Sequence, residues 1–207
     1  MTSAPVGTTI DSMTLEQGID RNWLREAAKV ALTKGYAYLP GALHPSHVVA
    51  HLERASSAAW RPLVAADGPV TQCVEEHALL LSEPAARTVV DLFSSVFDIP
   101  DSWSPELTYL RYPRSHGYIS PHKDHRRYLR IVSCLSLAGT TSFSIYHKNS
   151  RTQVAETWTV APGDVVLLAG AASTGDPRPM HAVGGPGNSD RISLTLRFLN
   201  GAQPSET

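Results

Sequence analysis

Residues 191–198, Arg-Ile-Ser-Leu-Thr-Leu-Arg-Phe, alternate polar and apolar without a break. A period of two marks a β-strand whose faces meet different surroundings. Ile192, Leu194, Leu196 and Phe198 share a face suited to a hydrophobic layer. Arg191, Ser193, Thr195 and Arg197 share the other. Two guanidinium groups and two hydroxyls are an odd lining for a core-forming strand. Either that face is half-solvated, or the arginine forks grip an acid between them.

The rest of the chain divides near Pro100. Before it the periods are helical. Leu15, Ile19, Leu24, Ala27, Val30 and Leu32 predict a helix over 14–33, stopped by Gly35. A short strand over Tyr36–Leu39 closes at Pro40-Gly41. A second helix is expected over 47–60 and a third over 84–97, while 61–82 shows no clear period. Beyond Pro100 the expected strands are 105–112, 117–121, 128–138, 141–147, 154–159, 164–169, 180–183 and 190–199. Helices followed by eight antiparallel-looking strands predict an α+β, mainly β fold, a jelly roll backed by N-terminal helices. The 207 residues suit one domain, 1–207, with helical support over 12–100 and a jelly-roll core over 101–200. Residues 1–11 and 201–207 are expected to be disordered.

Lys and Arg number 18 against 19 Asp and Glu, a net charge of −1. Nothing in that balance announces a nucleic-acid partner, although it does not exclude a local patch. There is no run of 18 apolar residues and so no expected membrane span. The N-terminus lacks the charged head and apolar core of a secretory leader. Cys73 and Cys134 have no metal spacing and are expected to be free thiols in a reducing cytoplasm. Oligomeric state cannot be read from these patterns.

The most informative polar cluster is Ser120-Pro-His-Lys-Asp124. His122 and Asp124 lie two apart, so on a strand or its end they project to one side. His181, at the start of a later strand, can supply a third ligand. Two histidines and a carboxylate cap one face of a ferrous ion and leave the other open for oxygen and an organic acid. A His-x-Asp alone is weak evidence in a chain of nine histidines. His44, His47, His51, His77 and His147 are expected to be surface or packing residues. His125 is a rival ligand, disfavoured by its neighbours Arg126 and Arg127.

Together these residues resemble the Fe(II)- and 2-oxoglutarate-dependent dioxygenases, specifically the AlkB-like branch. The resemblance covers about residues 105–200. It runs through Arg111-Tyr112-Pro113, His122-x-Asp124, Ile131-Val132-Ser133, Ser136-Leu137, Pro162-Gly163-Asp164-Val165-Val166, His181 and Arg191-x-Ser193-x-Thr195-x-Arg197. It implies a double-stranded β-helix with Fe(II), 2-oxoglutarate and O2 as cofactor and co-substrates. His122, Asp124 and His181 would hold iron, and Arg191 the far carboxylate of 2-oxoglutarate. Arg197 would lie near the chelating carboxylate, Tyr112 would donate its hydroxyl, and Ser193 would line the pocket. The family couples oxidative decarboxylation of 2-oxoglutarate to hydroxylation of a C–H bond. Asp124 separates the chain from related halogenases, which carry Gly or Ala there. Leu110 and Ser193 depart from the asparagines of many repair members, and no base-gripping lid is evident in 1–100.

The expected activity is hydroxylation of an unactivated C–H bond of a small molecule, such as a free amino or imino acid or another metabolite. Arg126, Arg127, His116 and Tyr118 flank the ligands and are candidate substrate contacts. Glu75, Glu76 and His77 are weaker candidates for an amino group. The alternative is AlkB-type oxidative demethylation of alkylated nucleic acid or protein, which needs stacking aromatics such as Trp60, Trp103 or Tyr118 and a phosphate-tracking groove. A non-catalytic jelly-roll binding module is the third class.

Overall fold

The computed structural model describes residues 19–63, 72–148, 150–172 and 175–200. The expected disorder at 1–11 and 201–207, and the first turn of the predicted N-terminal helix, lie outside that range. In chain order the elements are α1 (Arg21–Lys34), β1 (Tyr36–Leu39), α2 (Pro45–Ala55), β2 (Arg61–Pro62), β3 (Gln72–Cys73), β4 (Glu75–Ala78) and α3 (Pro84–Phe97). Then come β5 (Trp103–Tyr112), β6 (Tyr118–His122), β7 (Ile131–Ala138), β8 (Thr141–Tyr146), β9 (Val154–Val160), β10 (Val165–Ala169), β11 (His181–Val183) and β12 (Arg191–Asn200).

Local chemistry sets the helix ends. The Asp20 carboxylate accepts from the backbone N–H of Asn22 and Trp23, at 2.8 and 3.1 Å, and so caps α1. Gly35 ends it in the left-handed region at φ 100°. The second helix starts earlier than its periodicity suggests. Pro45 occupies the first turn and His44 caps it, accepting from Ser46 N–H. It also stops at Ala55 rather than 60, and Trp60 instead packs on Arg111, 5.0 Å from its guanidinium.

The strands form two facing sheets, a double-stranded β-helix. The larger has the order β1-β10-β7-β12-β5-β4-β2, and the smaller β3-β6-β11-β8-β9. The last eight strands are those expected from sequence, with one shift. Arg130 adopts φ 61°, so β7 begins at Ile131 rather than 128. Strands β2, β3 and β4 add to the jelly roll and fall in the stretch without a readable period.

The apolar face of β12 behaves as its alternation requires. Leu194, Leu196 and Phe198 join a buried cluster with Leu24 and Ala31 of α1, Val48 of α2, and Val89 and Phe93 of α3. The helices thus cover the outer face of the larger sheet. A second cluster, including Tyr112, Val132, Phe143 and Val183, fills the space between the sheets. Burying each large apolar side chain contributes about 1.5–3 kcal/mol, which anchors the sheet carrying β12. At one edge, Trp158 of β9 stacks on Tyr38 of β1 with ring centroids 5.1 Å apart, and this aromatic contact closes the sandwich. No helix among the described residues is long and apolar enough to cross a membrane.

Candidate metal centre

His122 ends β6, His181 begins β11, and the two are register partners across the smaller sheet. Their ring centroids are 4.2 Å apart. The register slips between this pair and the next, Val183 with Ile119. That bulge lets Ile119 and His122, three apart in sequence, both line the interior. Asp124 follows on the segment just past the strand. Ligand atoms of His122, Asp124 and His181 all lie within 4.8 Å of one another.

The backbone decides which ring nitrogens face the centre. The Ser120 carbonyl lies 2.9 Å from Nδ1 of His122, and the Pro179 carbonyl 3.2 Å from Nδ1 of His181. A carbonyl oxygen only accepts, so each Nδ1 is the donor, and in the neutral ring this leaves the Nε2 lone pair to face the centre. Phe143 stacks parallel to His181 at 5.6 Å and fixes the ring plane.

Electrostatics separates the three groups. Burial pushes His181 down to about 4, and the neighbouring His122 adds to the effect against the pull of Asp124. Burial raises Asp124, but His181, Arg197, His122 and Arg178 together outweigh it and hold the carboxyl below its ordinary value. At neutral pH the set therefore offers an anionic carboxylate and a neutral His181 imidazole. With His122 this is a donor set suited to a divalent first-row metal with open positions.

The larger sheet supplies the opposite wall of the same cavity, including Tyr112, Cys134, Arg191, Ser193, Thr195 and Arg197. Arg191 is 1 % exposed. Its guanidinium lies 4.6 Å from the Tyr112 ring centroid and reaches the Ser193 and Ser136 hydroxyls, each at 3.4 Å. Its Nε is buried without a hydrogen-bond partner, as is Oγ1 of Thr195. Among the described residues Arg191 has no carboxylate partner. A buried, always-charged group in this setting favours a counter-anion within reach. Arg197 differs, since Glu106 accepts from its Nη1 at 3.1 Å and Tyr128 lies under it at 4.9 Å. Burial raises the Tyr112 phenol above its ordinary value, against the pull of Arg191, so its hydroxyl remains a donor.

The candidate substrate contacts are elsewhere. Arg126 is exposed, and His116 is exposed on the turn after Pro113. Arg127 pairs with Glu106 at 3.3 Å and donates to the Tyr128 hydroxyl at 2.6 Å. Tyr118 neighbours the inward-facing Ile119 and so lies on the opposite face of β6. The structure brings none of these four to the cavity. Glu75 and Glu76 are ion-paired with Arg111 and Arg61.

Sequence reasoning missed two groups. Cys134 and Phe143 line the cavity. Both sit at inward positions of alternating strands, which was the available signal. Burial raises the Cys134 thiol to about 11, with Asp124 contributing, so it stays protonated. The other group is Lys123, Asp176 and Arg178. Arg178 grips Asp176 through Nε and Nη2, at 2.7 and 2.9 Å, and donates from Nη1 to the backbone carbonyl of Asp124. Lys123 reaches the same Asp176 carboxylate at 3.1 Å.

No protein-family model and no curated protein matches the sequence. Solved structures do match. A Pseudomonas putida prolyl-4-hydroxylase aligns over 86% of this chain and 98% of its own, with TM-score 0.64 and 14% identity. The non-heme alpha ketoglutarate dependent epimerase SnoN from nogalamycin biosynthesis aligns over 87% and 84%, with TM-score 0.62 and 15% identity. A prolyl hydroxylase from Trichoplax adhaerens, in complex with a hypoxia inducible factor peptide, aligns over 93% and 94%, with TM-score 0.60 and 14% identity. At these identities the likeness is one of fold.

Proposed function

We propose that this chain is an Fe(II)- and 2-oxoglutarate-dependent oxygenase that hydroxylates an unactivated C–H bond of a small molecule. A free amino or imino acid or another biosynthetic metabolite is the substrate class. The observation that carries the reading is the sharing of one cavity by two incomplete charge sets. His122, Asp124 and His181 converge on one wall, and Arg191 is buried in the opposite wall with no carboxylate partner among the described residues. A divalent metal chelated by a dicarboxylic acid satisfies both.

The residues fit that pair in chemistry as well as position. His122, Asp124 and His181 would hold the iron, with Nε2 of both rings presented by their carbonyl-bound Nδ1 atoms. Arg191, with the Ser193 hydroxyl and the protonated Tyr112, would hold the far carboxylate of 2-oxoglutarate. Arg197 would stand near the end that chelates the metal. Leu110, Ile119, Val132, Phe143 and Val183 exclude bulk water from the polar groups, which strengthens each bond made there. When bound, the metal and co-substrate supply the activation of O2 that the side chains themselves do not provide.

The solved structures that match include two prolyl hydroxylases and an epimerase from nogalamycin biosynthesis, which supports a small-molecule or peptide substrate. The motif order that resembles the AlkB-like branch does not by itself favour demethylation of nucleic acid. Trp60 is held against Arg111 and His77, away from the cavity, and Tyr118 is on the outer face of its strand. The free Cys73 and Cys134 fit a cytoplasmic setting.

The test is an anaerobic titration of Fe(II) and 2-oxoglutarate into the protein, followed by its visible charge-transfer absorption. Absorption that appears in the wild type and is lost in His122→Ala establishes the chelate. Pools of amino acids, metabolites and methylated oligonucleotides then identify the class that perturbs it and that drives O2-dependent succinate formation. Folded protein without the absorption would overturn the oxygenase reading.

A further inference from the structure

The three candidate ligands come from two chain segments more than fifty residues apart in sequence, 122–124 and 176–181, and neither is held by a long strand. Asp124 lies beyond the end of β6, and the 176–180 segment precedes a strand of three residues. The β6–β11 ladder pairs His122 with His181 but ends before Asp124, whose position needs a separate restraint. We propose that Arg178, Asp176 and Lys123 form a latch that sets the position of Asp124 relative to His181. This rests on the metal-centre reading above.

The latch is a closed ring of contacts. Lys123 extends from the first segment to Asp176 on the second, at 3.1 Å. Asp176 is held by both edges of the Arg178 guanidinium, at 2.7 and 2.9 Å. Arg178 then returns to the first segment through the Asp124 carbonyl. The last link from Asp124 to Lys123 is the peptide bond itself. Planar guanidinium geometry matters here, because one group must make a two-point fork and a separate bond at once.

Arg178 is 9 % exposed, so its side chain is not a loose surface charge, and the Asp176 carboxylate that it grips is partly open to solvent at 31 %. The second segment is braced from behind as well. A Cβ at Gly35, the C-cap of α1, would stand 3.2 Å from the Pro177 carbonyl, and Tyr146 N–H donates to the Met180 carbonyl at 2.9 Å. With its back fixed, this segment has a defined place from which Arg178 reaches Asp124. Arg178 lines a different cavity from the one shared by the ligands, and its side chain acts through the Asp124 backbone, which makes it a positioning residue.

The experiment measures Co(II) and Mn(II) binding by wild type, Arg178→Lys, Arg178→Met and Asp176→Asn, with hydrogen exchange of the metal-free proteins alongside. Outer contacts of this kind change metal affinity by about 10–100-fold. Each variant is expected to lose affinity in that range, and Arg178→Lys, which keeps the charge but not the fork, is expected to lose nearly as much as Arg178→Met. The Arg178→Met, Asp176→Asn double variant should be no worse than the poorer single one, as members of one unit are not additive. In the metal-free variants, exchange should rise at Asp124 to Arg126 while the core strand β7 stays protected. Wild-type affinity in Arg178→Met, or exchange that rises evenly across the molecule, would overturn the latch. If the wild type binds Co(II) no better than His122→Ala, the metal centre itself is wrong, and the latch falls with it.

Discussion

Arg191 and Tyr112 are register partners across β12 and β5, and the guanidinium of one lies 4.6 Å from the ring centroid of the other. The ring offers the charge some attraction from its face, but a cation–π contact does not replace a carboxylate. Arg191→Met should therefore act in opposite directions on stability and binding. Without ligand, an apolar side chain of similar length relieves an unpaired buried charge. The melting temperature should rise by about 2–4 °C for each kcal/mol gained. With Mn(II) present, 2-oxoglutarate affinity measured by calorimetry should fall on the order of 100-fold or more. A variant that loses stability and keeps its affinity for the diacid would contradict this account of Arg191.

Metal should stabilise the fold through its three ligands. At a free Mn(II) concentration of 100 times Kd, the wild type should gain about 2.7 kcal/mol. His181→Ala and Asp124→Ala should show no such gain. Thermal melts across a metal titration provide the check, and an equal gain in both variants would place the metal elsewhere.

Gly139 guards the start of β12. Its φ is 67°, and a Cβ there would stand 2.6 Å from the Asp190 carbonyl and 2.9 Å from Cα of Arg191. Gly139→Ala must push the strand that carries Arg191 or strain its own backbone. It should cost about 1–3 kcal/mol in denaturant unfolding and weaken 2-oxoglutarate binding. Destabilisation with unchanged binding would show that the displacement is absorbed before Arg191.

His51 gives the fold a predictable acid sensitivity. It is buried beneath the larger sheet with its Nδ1 2.9 Å from the Tyr109 hydroxyl. Burial depresses its pKa from 6.5 to about 4, and His47 and Arg54 add to the effect. The unfolded chain then binds the proton more readily than the folded one. Stability from this group is present above pH 6.5 and is lost as pH falls toward 4, on the order of 3 kcal/mol in all. His181 shifts in the same direction and contributes a parallel loss in metal-free protein. His51→Gln, which keeps a polar group for Tyr109 but does not titrate, should flatten the profile between pH 6.5 and 4. Identical slopes in wild type and variant would remove His51 from the explanation.

Much of this arrangement was legible because it is periodic or local. The alternation from Arg191 to Phe198 announced both faces of β12, and Gly35 announced the end of α1. The helix Pro84–Phe97 has the bounds its apolar spacing predicts. What was hidden depends on contacts distant in sequence. Strands β2 and β3 are two residues each and exist only because β4 and β6 pair with them. The left-handed Arg130 has no turn residue to mark it. Arg127 is a candidate substrate contact in the sequence because nothing near it there shows Glu106, its partner from β5. Arg178 was unremarkable for the same reason, since its partner Asp124 is 54 residues away.

The two halves of the site belong to different sheets. His122 and His181 are in the smaller, and Tyr112, Arg191, Ser193 and Arg197 in the larger. At the β1–β9 edge the sheets meet through rings rather than a backbone ladder. On the proposed reading, an ion fixed to one sheet and chelated by an acid clasped from the other is a removable cross-link through the middle of the molecule. Proteolytic lifetime would then track the supply of metal and diacid, and the apoprotein would be the form most readily degraded.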